Sequence, residues 1–217
     1  MPVPPAELLD PWKARIFRIV HRDNFPAILR QGLVCPNRAE GGVAWVSIGN
    51  PDVIGRRRSK TVTTAPGGVL ADYIPFYFTP WSVMLFNIIT GRGVPKRNRD
   101  EILFLVSSLS RVQEVGGQAV FSDIHALREG ARFYSDLADL SRVDFDLLKT
   151  RDFRKDPDDP GRFDRYQAEA LVHEALPLSG LLGLACYTEA TKQDVDRLVA
   201  EARTALTVAV RPDWYFE

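Results

Sequence analysis

Apolar positions in this chain come in short runs broken by polar or turn residues. RIFRIV at 15–20 reads as a buried strand, and the polar break His21–Asn24 ends it. Phe25 to Leu33 then reads as a helix closed by Gly32, with Asp23 or Asn24 available as its cap and Pro26 in its first turn. VAWVSI at 43–48 predicts a second strand. Residues 49–68 hold Gly, Pro and the basic group Arg56, Arg57, Arg58 and Lys60, which predicts a loop or a short helix between loops. DYIPFYFTP at 72–80 is dense in aromatics with Pro75 inside, the pattern of an edge or core strand opening into a pocket wall.

Further along, SVMLFNIIT at 82–90 predicts a short helix begun by Ser82 and ended by Gly91 and Gly93. ILFLVSS within 99–108 predicts a central strand, and Val120–Phe121 a shorter one. A helical region is expected from Ser122 to about Leu140, split near Gly130, and then a polar loop over 149–163. Tyr166 to Val172 is strand-like. Val195, Leu198, Val199, Ala202 and Leu206 recur at helical spacing, which predicts an amphipathic helix over 191–206. The tail VAVRPDWYF returns as a final strand. Strands and short helices without regular alternation predict an α+β fold.

Composition narrows the class. The chain has 217 residues, 45% hydrophobic and 26% charged, enough for one folded domain over 1–217 with a substantial core. No run approaches the ~20 apolar residues that span a bilayer, and the start, MPVPPAELLDPW, lacks a basic region followed by an apolar signal segment. Cys35 and Cys186 are expected to be buried thiols of a reduced, cytoplasmic protein with no membrane association. Net charge is zero, but residues 1–110 hold 14 basic and 8 acidic side chains and residues 111–217 hold 14 and 20. A basic half is compatible with nucleic acid.

The candidate chemistry begins with exclusions. His21, His125 and His173 are dispersed and form no metal-binding motif, so no metal is expected. No Walker loop is present. Arg56, Arg57, Arg58 and Lys60 form one basic cluster and Arg92, Lys96, Arg97 and Arg99 another; either suits a solvated loop or a groove for phosphates. The nearby rings Tyr73, Phe76, Tyr77 and Phe78 suit core packing or stacking on a base or pyridine ring. Glu169 sits beside Ala170, Leu171 and Val172, where a carboxylate is costly to bury without a partner. It suits a solvated strand edge, or a pocket acid that holds a ribose hydroxyl and stabilises an oxocarbenium-like centre, with Gln167 placing the incoming group.

IFRIVHRDNFPAILRQGL at 16–33, VSIGN at 46–50, RRR at 56–58, GVLADYIPFYFTPWSVMLFNIITG at 68–91 and RYQAEALV at 165–172 together resemble the DarT family, toxins of DarT–DarG toxin–antitoxin systems. The resemblance implies an ADP-ribosyltransferase-like split mixed β-sheet with peripheral helices. It also implies transfer of ADP-ribose from NAD to a base of single-stranded DNA, thymine being the expected target, with release of nicotinamide. It carries the catalytic acid to Glu169, NAD binding to Arg18, His21 and Asn24, and the aromatic pocket wall to Phe76 and Tyr77. An arginine assisting base deprotonation falls in Arg56–Arg58; Arg57 is taken for it, with either neighbour permitted by spacing. Arg56, Arg58, Lys60 and Arg92 are the expected nucleic-acid contacts. A macrodomain antitoxin resembling DarG is the implied partner. Trp81 and Val83 depart from the family pattern after DYIPFYF, which bears on DNA contacts rather than on NAD. The alternative is a non-catalytic or RNA-directed nucleic-acid-binding protein on the same scaffold.

Overall fold

The computed structural model describes residues 5–39 and 45–217. Ten strands occur among them: β1 Arg15–His21, β2 Leu33–Val34, β3 Tyr73–Tyr77, β4 Ile102–Ser108, β5 Ala119–Ser122, β6 Phe133–Tyr134, β7 Glu169–His173, β8 Ala175–Leu176, β9 Gly183–Cys186 and β10 Val208–Val210. Eight make one sheet in the order β10-β9-β4-β1-β3-β7-β5-β6, while β2 and β8 form a small ladder of their own. β10 and β9 are parallel and the other pairs antiparallel.

The sheet is divided at its middle. β1 and β4 stay in register from Arg15 opposite Ser108 to His21 opposite Ile102, and β3 and β7 from Tyr73 opposite His173 to Tyr77 opposite Glu169. Between the two halves, β1 and β3 meet in register at Phe17 opposite Tyr77. Pro75 explains how a proline sits inside a wide sheet: its carbonyl, and with it the side that lacks an N–H, faces the gap rather than a ladder. One large core, from Phe17 and Phe104 to Phe76, Leu85 and Trp214, backs both halves. A smaller one around Leu70, Tyr73 and Leu171 lies at the β7 side.

Several short elements follow their local signals. The helix Val83–Thr90 is capped by Ser82, which accepts from the Leu85 N–H, and Gly91 ends it at φ 76°. Gly32 closes Phe25–Gln31 at φ 73°, where a Cβ would stand 2.6 Å from the Leu176 carbonyl oxygen, so only glycine lets β2 reach β8. Cys35 and Cys186 are buried free thiols. No helix among the described residues is long and apolar enough to cross a membrane.

Several expectations change. Residues 45–48 are not a strand, and 43–44 lie outside the described residues. The amide of Asn24 donates to the Val46 carbonyl at 2.9 Å and accepts from the Val46 N–H at 2.8 Å, doing what a neighbouring strand would do. That engagement also leaves Asn24 making no side-chain cap to the helix it precedes. The expected helix over 122–140 is instead a hairpin return, β6 pairing with β5 and Tyr134 stacking on Phe121 at 5.6 Å, followed by a 3-10 helix at Leu137–Arg142. An open sheet edge with an aromatic partner outweighs helix propensity here. The amphipathic helix runs Glu189–Glu201, because Arg203 turns at φ 52° to bring the chain back to β9. The final strand stops at Val210, and Pro212 begins a 3-10 turn.

Candidate active site

Glu169 opens β7 directly opposite Tyr77 and is 4% exposed. The chain reaches it through the one-turn helix Arg162–Arg165 and through Tyr166, whose hydroxyl donates to the Trp81 carbonyl at 3.0 Å. The Glu169 N–H donates to Ser122 Oγ at 3.2 Å, and Ser122 in turn donates to the Ile124 carbonyl at 2.7 Å. The end of β5 is thereby tied to the start of β7. This hydroxyl fixes where the glutamate begins.

The carboxylate is held from both sides. Arg57 Nη1 donates to Oε2 at 2.8 Å, and the Ala126 N–H donates to Oε1 at 3.2 Å. His125 Nδ1 stands 3.4 Å from Oε1. Burial is the largest influence on Glu169 and opposes its ionisation. The Arg57 guanidinium, the neighbouring His125 ring and the hydrogen bonds from Arg57 and Ala126 outweigh it and hold the carboxyl below the usual carboxylate range. Arg57 ends the helix Pro51–Arg57, which Asn50 caps by accepting from the N–H groups of Asp52 and Val53. Arg57, the last residue of that helix, reaches Glu169 from its C-terminal end.

A cleft of about 530 Å³ opens where the two half-sheets part. Arg18, His21, Asn24, Tyr77, Arg57 and Glu169 all line it. Arg18 spans the gap, donating from Nη1 to the Pro75 carbonyl at 2.8 Å, and burial lowers its pKa to about 10. Arg18 Nε and Arg57 Nη2 are buried without partners among the described residues, so two N–H donors remain for a ligand. Burial, with Glu169 adding to it, keeps the Tyr77 phenol protonated far above its ordinary value. His21 accepts the Asp23 N–H on Nδ1 at 3.2 Å and sets Nε2 3.3 Å from Glu101 Oε1, which fixes its ring at the cleft edge. An anion-loving, partly apolar cleft with one buried carboxylate suits a dinucleotide whose ribose becomes cationic.

The expected site residues divide into two groups. Glu169, Arg57, Arg18, His21, Asn24 and Tyr77 converge on the cleft, Arg58 lines it as well, and among the three adjacent arginines it is Arg57 that reaches the carboxylate. Phe76 does not join them: it is 0% exposed in the main core, because adjacent strand residues face opposite sides and Tyr77 takes the cleft side. Arg56 is exposed beside the cleft. Lys60 is occupied by the Arg128 carbonyl at 2.9 Å, and Arg92 lies over the Phe86 ring at 4.9 Å. His125 and Ser122 were not anticipated. Both fall in the segment expected to be helical, so no periodic signal pointed to them.

Comparison with known proteins follows the same lines. A family model described as "ssDNA thymidine ADP-ribosyltransferase, DarT" matches residues 17–216. The chain belongs to the DarT family. It is 45% identical over 209 residues to a DNA ADP-ribosyl transferase of Escherichia coli O127:H6, covering 96% of each chain. It is 34% identical to a DNA ADP-ribosyl transferase of a Thermus species, covering 93% of this chain and 95% of that protein. Among solved structures, the Thermus sp. 2.9 DarT in complex with ADP-ribosylated ssDNA superposes with a TM-score of 0.87 at 32% identity, over 94% of this chain and 97% of that one. The same DarT in complex with NAD+ gives 0.82 at 30% identity, over 94% and 98%. The DarT match begins within β1 and ends beyond β10, so it takes in both half-sheets and the cleft between them. The fold is an ADP-ribosyltransferase-like α+β fold, as expected from the sequence.

Proposed function

We propose that this chain, acting as one ADP-ribosyltransferase domain over 1–217, transfers ADP-ribose from NAD to thymine in single-stranded DNA and releases nicotinamide. The observation that carries this reading is the buried Glu169 carboxylate, oriented by Arg57, at a cleft where Arg18 Nε and Arg57 Nη2 are buried without partners among the described residues. Nicotinamide leaves readily from NAD, and positive charge grows at the ribose C1′. Glu169 accepts a hydrogen bond from a ribose hydroxyl and opposes that charge electrostatically. Arg18 and Arg57 bind anionic or carbonyl oxygen, His21 and Asn24 shape the end of the cleft near the turn after β1, and Tyr77 supplies a flat wall. The cations of the site are its arginines, and the reaction needs no metal. Single-stranded DNA is the favoured acceptor because its bases are already unpaired.

Family membership supports a toxin role in the cytoplasm, held in check by a macrodomain antitoxin that removes ADP-ribose from DNA. The deciding experiment incubates the protein with NAD and a panel of single-stranded oligonucleotides, duplexes, RNA and protein. Adduct mass and nicotinamide release are then measured. An ADP-ribose adduct on thymine-containing single strands is expected, undiminished by chelators. Mobility shift without nicotinamide release, or label on RNA or polypeptide, overturns the reading.

A further inference from the structure

His21 closes β1 and pairs in register with Ile102, the first residue of β4. Glu101 immediately precedes that strand, at the end of the 3-10 turn Arg99–Glu101. The register therefore brings the two side chains together. His21 is 4% exposed and lines the cleft, whereas Glu101 is not part of the cleft wall.

Both ring nitrogens of His21 are committed. The Asp23 N–H donates to Nδ1 at 3.2 Å, so Nδ1 is an acceptor and the ring carries its hydrogen on Nε2. Nε2 then donates to Glu101 Oε1 at 3.3 Å. The other charged groups nearby are Asp23, whose Oδ2 stands 3.5 Å from Nδ1, and Arg97, whose Nη1 stands 3.4 Å from Glu101 Oε1.

Glu101 is itself anchored. Its Oε2 accepts the Asn98 N–H at 2.7 Å. That N–H is the largest influence on the carboxyl, and with the His21 hydrogen bond and the Arg97 charge it outweighs burial and holds the group below the usual carboxylate range. The carboxylate thus accepts hydrogen bonds and offers none. One residue earlier, Asp100 accepts the hydroxyls of Thr188 and Thr191 at 2.5 and 2.7 Å, which moors the turn to the start of the helix Glu189–Glu201.

We propose that Glu101 is a positioning residue for NAD binding, acting through His21. The proposal rests on the reading above that NAD occupies the cleft. A ring held at both nitrogens turns one fixed edge to the dinucleotide. Without the carboxylate it keeps only the Asp23 contact, and the ordering of the ring has to be met when NAD binds. Glu101 makes no hydrogen bond to Glu169 or Arg57, so the chemistry at the ribose is left as it was.

The test measures NAD affinity and single-turnover nicotinamide release, with a thymine-containing oligonucleotide, for wild type, Glu101→Ala, His21→Ala and the double variant. Glu101→Ala should bind NAD about tenfold more weakly, while its rate at saturating NAD stays near that of wild type. In the His21→Ala background the same substitution should cost nothing further, because the ring through which it acts is gone. A role confined to holding Asn98 and Arg97 would persist in that background, and such additivity overturns the proposal. Nitrogen NMR of the wild-type imidazole, at a pH where the ring holds a single hydrogen, should show it on Nε2; a hydrogen on Nδ1 also overturns the proposal, with no variant needed. Glu101→Gln has one amide oxygen for two N–H groups, and it takes the place of alanine in the cycle where alanine unfolds. NAD binding by the Glu101 variants equal to that of wild type sinks the positioning role and leaves the enzyme reading intact. Wild type that neither binds NAD nor releases nicotinamide overturns both.

Discussion

Arg18 donates from Nη1 to the main-chain carbonyl of Pro75 at 2.8 Å, in the gap where β1 and β3 have ceased to pair. A side chain thus closes the sheet where the main chain leaves it open. The same guanidinium leaves Nε buried without a partner among the described residues, and Arg18 lines the cleft. Binding and architecture therefore share one residue.

Arg18→Met should lower stability by about 1–3 kcal/mol, since it strands the Pro75 carbonyl. For a chain of this size that is several degrees in Tm. NAD affinity should fall at the same time. Thermal melts and NAD titration check both, and an unchanged melting temperature would show that the bond across the gap is idle.

Glu169→Gln should slow transfer by about a hundredfold to a thousandfold while NAD affinity stays near that of wild type, because the lost charge matters most when the ribose is cationic. Single-turnover nicotinamide release and equilibrium binding separate the two effects. Near-normal transfer by this variant would remove Glu169 from the chemistry.

Arg57 and Glu169 also predict a pH signature. The folded carboxyl lies below its ordinary value, so its contribution to stability is present above the unfolded pKa and is lost as pH falls through the folded one. In Arg57→Met the largest opposing influence, burial, loses its strongest counterweight. The Glu169 pKa then rises, and stability at neutral pH should drop by about 3–5 kcal/mol. That variant should regain stability relative to wild type as pH is lowered toward the carboxyl range. Urea midpoints measured from pH 4 to 8 follow both curves; parallel curves would contradict the assignment.

Arg56 and Arg58 flank Arg57, one exposed beside the cleft and the other lining it. Arg56→Ala with Arg58→Ala should weaken single-stranded DNA binding and flatten its salt dependence by about 0.7 in log–log slope for each phosphate contact removed. Affinities across a salt series measure this directly. An unchanged slope would move the phosphate track to the Arg92–Arg99 segment.

Much of the frame is legible in short windows of sequence. RIFRIV becomes β1, ILFLVSS becomes β4, and Ser82 and Gly91 bound their helix, because a short apolar run and caps at the ends are properties of a few adjacent residues. The rule that neighbours on a strand face opposite sides was also available, and it separates Phe76 in the core from Tyr77 in the cleft. Glu169 stood out because an acid among Ala, Leu and Val demands a partner.

Which partner it finds was decided by the tertiary structure alone. Arg57 lies 112 positions away in sequence, and spacing left Arg56, Arg57 and Arg58 equivalent until the folded helix placed one of them against the carboxylate. Residues 45–48 and 122–140 went the same way: the Asn24 amide and the free edge of β5 offered hydrogen bonds that local propensity cannot anticipate. His125 entered the site through that second segment. Periodicity encodes which face of an element is buried, whereas the meeting of a carboxylate, a guanidinium and an imidazole depends on how separate elements dock, and docking is settled by register and packing across the whole sheet.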